Sequence, residues 1–116
     1  MNTAQVVLAA ITCSLLLVAA LSKVTGQQSM RDMAEHFAIH WPRYRAIGYL
    51  ELVAVAGIVL GLWWSWIGIA AGAGTVLLLV GAVVVHARVR DPLPAMVPAL
   101  VTLAAAAGYV VVTVAS

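Results

Sequence analysis

The chain has a single cysteine, Cys13, which excludes an intrachain disulfide and any dithiol redox centre; a small apolar packing role suits it best. Charge is also scarce. Six basic and four acidic residues make up 9% of 116 positions, for a net +2. The basic residues form no cluster or stripe, so no nucleic-acid surface is expected. Phenylalanine occurs once. Nothing resembles a repeat, a low-complexity linker or a haem-ligand pair, and a single domain over residues 1–116 is expected.

What fills the chain is apolar: 65% of residues are hydrophobic, far above a soluble domain. Four runs approach the roughly 20 residues needed to cross a hydrocarbon core of about 30 Å: Ala4 to Leu21, Ala46 to Leu62, Trp66 to Val85 and Ala95 to Ala115. The expected class is all-α, an integral membrane four-helix bundle. The first run is longer than a signal-peptide core and has no basic residue before it, so it is read as a retained helix. Trp63, Trp64 and Trp66 mark one interface, and Trp41, Tyr44 and Tyr49 the other.

All six basic residues fall between runs one and two (Lys23, Arg31, Arg43, Arg45) or three and four (Arg88, Arg90). With four spans these loops share a side. The positive-inside rule makes it cytoplasmic, with both termini extracytoplasmic in a multi-pass cell-membrane protein. Within the first loop, "QSMRDMAEHFAIHW" places Met30, Met33, Phe37 and Trp41 along one face, which predicts a short amphipathic interfacial helix between helices 1 and 2, ended by Pro42. Pro98 is expected in the first turn of the last span.

Small residues at helical spacing, Gly57/Gly61, Gly68/Gly72 and Ala104/Gly108, suit close packing within the chain and, as the second reading, a homodimer seam. They predict assembly, not chemistry.

One carboxylate, Glu51, lies about 8 Å inside the second run at 1.5 Å per residue. Such a charge costs about 2 to 3 kcal/mol unless it is protonated, paired or wet. Lys23 and His86, at the same ends of their own spans, are its expected partners. Three readings follow: an interhelical ion pair that clamps the bundle, a site for the polar head of a lipophilic ligand, or an acid and base pair in which Glu51 and His86 are catalytic. Lys23, Tyr44, Tyr49 and Trp41 are the candidate ligand-binding residues. Asp32, His36 and His40 share i, i+4 spacing, which allows one adjacent metal-binding pair; solvated interfacial side chains are the better reading, and no metal is assigned.

Ser22 to Gly26, Ile47 to Leu52, Gly57 to Gly61, and Gly81 to Val83 leading to His86, Arg88 and Asp91 together resemble the DoxX-like family of small four-helix membrane proteins over nearly the whole chain. The resemblance implies a four-helix bundle and matches Glu51 and His86 to the family's glutamate in span two and histidine closing span three. It also implies a link to membrane redox systems, with a quinone as the expected lipophilic ligand and a membrane redox protein as the expected partner. The competing expectations are an assembly partner for another membrane protein and a small membrane isomerase or cyclase.

Overall fold

The computed structural model covers residues 1–116 and contains five helices: α1 (Thr3–Val24), α2 (Gln28–His36), α3 (Trp41–Leu60), α4 (Ser65–Arg88) and α5 (Leu93–Ala115). The four long helices close a ring in which α1 packs on α3, α3 on α4, α4 on α5 and α5 back on α1. Short α2 leans on α1 and α3 at one end. Three helices, α1, α4 and α5, are long and apolar enough to cross a membrane. The expected second span falls short of that measure, because α3 begins earlier than its apolar run and carries Arg43 and Arg45 as well as Glu51.

Each long helix buries a stripe spaced at three and four residues, the period that keeps one face inward. In α1 the stripe is Gln5, Ala9, Thr12, Leu16 and Ala20; in α4 it is Gly68, Gly72, Thr75, Leu79 and His86. Apart from Leu16 and Leu79, these inward residues are small or polar, while many large apolar ones, such as Val18, Val53 and Leu77, face out. This is the reverse of a water-soluble core and suits a hydrocarbon solvent, where helices associate through close backbone approach and interhelical hydrogen bonds.

The end bearing Trp63, Trp64 and Trp66 is packed tightly. A Cβ on Gly61 would strike the Gly68 backbone and the Tyr109 hydroxyl, and one on Gly72 would strike Val110. Fully buried Tyr109 of α5 donates a hydrogen bond to the carbonyl of Ile58 at 3.0 Å, and Gln5 reaches Thr113 across α1 and α5. The glycine spacings are thus used between helices of one chain.

Three helices end alike at the opposite pole. After α1, α2 and α4 a residue takes the left-handed conformation, Gly26, Ala38 and Arg90 respectively, and the next amide reaches back to the last turn: Gln27 to Ser22, Ile39 to Ala34, Asp91 to His86. These are Schellman caps. The amphipathic helix therefore stops at His36 rather than running to Pro42, which instead opens α3. His40 falls in the link, so the expected His36/His40 spacing is not realised on one helix. Pro98 is the sixth residue of α5, one turn deeper than expected, where it removes one backbone donor.

Gly61→Ala should lower stability by about 1–3 kcal/mol through overpacking. Gly81, whose added Cβ would meet nothing within 4 Å, should accept alanine with no loss and a gain of up to about 1 kcal/mol from helix propensity. Thermal unfolding of both variants in one detergent checks the contrast.

Candidate functional site

Glu51 belongs to the inward stripe of α3 with Tyr44, Gly48 and Ile58, so helical period alone turns it into the ring. Gly48 brings its partner close. A Cβ there would stand 2.8 Å from the Lys23 Cβ and 3.1 Å from the Ala20 carbonyl oxygen, so the missing side chain lets the end of α1 lie on α3. Lys23 Nζ then reaches Glu51 Oε1 at 3.0 Å, with both side chains largely buried. The angles miss good hydrogen-bond alignment, leaving Oε1 without an aligned donor. Lys23 Nζ also lies 5.4 Å from the centroid of the Tyr44 ring, a cation–π contact.

His86 reaches the same region from α4, yet it is bound elsewhere. Its Nδ1 lies 2.6 Å from Asp91 Oδ2, and Asp91 Oδ1 lies 2.6 Å from His36 Nε2. The Schellman cap explains the first contact: the turn that returns the Asp91 amide to the His86 carbonyl also brings the two side chains together. An ionised carboxylate only accepts, so each imidazole donates to it. Asp91 lies outside the helices, and the hydrogen bonds from His36 and then His86 hold its carboxyl below the ordinary 3.8. The Phe37 ring stands edge-on to His86 at 4.9 Å.

Other basic residues close helix ends. Arg45 donates to the Val24 carbonyl, Arg31 to that of Gly26 and Arg88 to that of Phe37, each favourable at the negative end of a helix. The Arg88 to Phe37 and His36 to Asp91 bonds tie the end of α2 to the end of α4.

Under α2 lies a cavity of about 740 Å³ lined by 24 residues, 17 of them hydrophobic, within the range of small-molecule sites. Its polar wall includes Lys23, Tyr44, Glu51 and His86, while Met30, Met33 and Phe37 close the α2 side. Val18 and Leu77, both exposed, are at its edge, so it opens on the outer surface of the ring. Two of the expected aromatic residues stand apart from it: Trp41 stacks against Arg31 at 4.7 Å and Tyr49 is exposed on the outside of α3. The expected trio of Lys23, Glu51 and His86 shares the cavity, but the direct contacts are Lys23 with Glu51 and His86 with Asp91. The part played by His36 and Asp91 has a faint sequence trace at best, since the left-handed residue that turns Asp91 back is Arg90 rather than glycine.

An apolar exterior, polar inward stripes and a cavity with a charged wall define a small α-helical membrane protein. The chain belongs to the DoxX-like family, which it matches over residues 7–112. No curated protein and no solved structure matches it.

Removing Lys23 should cost more than neutralising Glu51. Lys23→Met leaves a carboxylate buried without its cation and is expected to lose about 3 kcal/mol. Glu51→Gln leaves an ammonium that can turn toward the interface and should lose about 1 kcal/mol; Lys23→Met with Glu51→Leu should recover most of the larger loss. Equilibrium unfolding of the three variants in one detergent decides it.

The depressed Asp91 carboxyl gives stability that is complete above 3.8, its ordinary value, and lost as pH falls through the lower folded value. Hydrogen-exchange protection of α2, corrected for intrinsic rates, should therefore fall in that acid window and be weak in Asp91→Asn at every pH.

Proposed function

We propose that the protein crosses the cell membrane four times, with α3 as the fourth span, and binds a lipophilic small molecule whose polar head enters the cavity beside Glu51. Both termini face away from the cytoplasm in this arrangement, and α2 lies at the cytoplasmic surface. The observation that carries the reading is the cavity itself: apolar along most of its wall, open on the outer face of the ring, and ending at Lys23, Tyr44, Glu51 and His86. A filled ring would have left Glu51 as a clamp alone.

A quinone is the ligand class we favour. Its flat ring and isoprenoid tail suit the apolar wall, and its two oxygens suit a site with an ammonium, a phenol, a carboxylate and an imidazole within one volume. The resemblance to the family implies a link to membrane redox systems, and a chain with a single cysteine cannot ligate an iron–sulfur cluster, so in this reading the protein supplies or shelters the ligand for a partner that carries electrons. The same wall supports a second reading, an isomerase or cyclase using Glu51 and His86 on a lipophilic substrate. The assembly-partner alternative draws less support, because the small faces at Gly57, Gly61, Gly68 and Gly72 meet Ala71, Tyr109 and Val110 of the same chain.

Native mass spectrometry of gently purified protein tests the reading. Wild type should carry a lipophilic molecule, and both Glu51→Gln and the cavity-filling Ala99→Trp should lose it while remaining folded. A wild type that carries nothing and takes up no added short-chain quinone would sink the proposal.

A further inference from the structure

The Asp91 carboxylate has an imidazole on each oxygen, at 2.6 Å in both cases, and the two imidazoles differ in exposure. The His36 side chain is 48% exposed, whereas that of His86 is 11% exposed and lines the cavity. Because the carboxylate accepts, His86 carries a proton on Nδ1, and in the neutral form of such a ring the lone pair is on Nε2. Nε2 has no hydrogen-bond partner in the protein and is not among the fully enclosed polar atoms. The ring therefore presents an acceptor while its donor side is occupied.

The geometry points to His86 as the proton acceptor for a hydroxyl-bearing ligand in the cavity, with Asp91 as the residue that fixes its tautomer and His36 as the second arm that holds Asp91. This rests on the lipophilic-ligand reading and narrows it: the molecule bound has a phenolic, hydroquinone or enol O–H, so a quinol fits the His86 side better than a quinone. In the proton step the ligand O–H bond breaks and an N–H bond forms at Nε2. The products are an oxyanion in the cavity and an imidazolium whose Nδ1–H is already directed at Asp91; no electron moves and no other reactant is consumed. Lys23 is already paired with Glu51, so the imidazolium itself is the counter-charge of the oxyanion. The other ionisable or charged groups around His86 are Glu51 and Tyr44 of α3, Arg88 of α4 and His36 of α2, of which Glu51 alone opposes the oxyanion.

Paired Asp and His side chains are common at reacting centres because the carboxylate both orients the ring and stabilises its charged form. Here the pairing is built by a helix cap. Arg90 holds a left-handed conformation at φ 58, which a residue with a Cβ adopts at some cost, and the product of that strain is the His86 to Asp91 contact.

A chromophoric phenol with a lipid-like tail, 4-nonyl-2-nitrophenol, separates binding from proton transfer, since its phenolate absorbs apart from the phenol. Bound to wild type it should be about tenfold more ionised than in empty detergent micelles. In the fraction of probe that is bound, Asp91→Asn should remove most of that difference, and His36→Ala should remove part of it. In wild type without probe, nitrogen-15 NMR of the histidines should show His86 protonated at Nδ1 and bare at Nε2. If the probe binds, Ala99→Trp excludes it, and ionisation is the same in wild type and Asp91→Asn, the proton role is overturned and the ligand site stands. An Nε2–H tautomer for His86 overturns the proton role even if the variants do not fold. Failure of the probe to bind, or equal binding to Ala99→Trp, overturns both.

Discussion

Gly61 and Gly68 let α3 and α4 approach so closely that neither position has room for a Cβ, with the Tyr109 hydroxyl wedged beside them. In hydrocarbon, where burial of apolar surface drives nothing, such backbone approach and the few interhelical hydrogen bonds supply the attraction. They concentrate at the tryptophan-bearing end. At the α2 end Ser22, Gly81, Ala82, Ala95 and Ala99 leave space that the larger lining residues, among them Leu16, Leu79 and Phe37, border without filling, and that space is the cavity. One half of the ring is filled so that the other can be hollow.

A hollow end places polar groups where they would otherwise be costly. Lys23 and Glu51 stabilise each other across α1 and α3, and the cavity beside them keeps that pair from being sealed in lipid. The three Schellman caps gather at this pole as well, each turning the chain sharply, and those of α1 and α2 are accompanied by arginines on helix-end carbonyls. The basic residues are therefore structural as well as topological: the same side chains that would orient the protein by charge also close the ends of α1 and α2. A change at Arg31, Arg45 or Arg88 should be read with both roles in mind.

Much of this was legible in the sequence. The all-α class, the amphipathic segment between the first two long helices and the inward turn of Glu51 follow from helical period and from the cost of a charge in an apolar run. The pairing of Lys23 with Glu51 followed from matching depth. The failures have a common cause. Pro42 reads equally well as a stop or as a first-turn residue, and the stop for α2 was instead a cap at Ala38, where no glycine advertises a left-handed turn. The bond between His36 and Asp91 spans 55 positions and depends on where α2 is laid down, which tertiary contacts decide. Tyr49 and Trp41 were placed by depth alone; depth does not give the side of the helix, and Tyr49 is exposed outside the ring while Trp41 packs behind Tyr44 without lining the cavity.

The arrangement of charge separates the roles of the two acidic residues near the cavity. Glu51 has a lysine as partner, so the pair is close to neutral and its chief effect on a bound molecule is to fix an orientation through hydrogen bonds. Asp91 has two imidazoles, one on each oxygen, so a proton taken up by either ring is opposed by the carboxylate between them. Structural need alone would have been met by a hydrophobic contact at this point of the cap, the usual accompaniment of a Schellman turn, as in the Ala34 and Ile39 turn that ends α2. Substituting histidine and aspartate at the corresponding positions of α4 exchanges a stable apolar contact for a titratable one that borders the cavity. The α1 cap also carries a polar pair, Ser22 and Gln27, at these positions, so what sets the α4 cap apart is that its pair is ionisable and borders the cavity, which is the ground for proposing proton chemistry on the α4 side and ligand positioning on the α3 side.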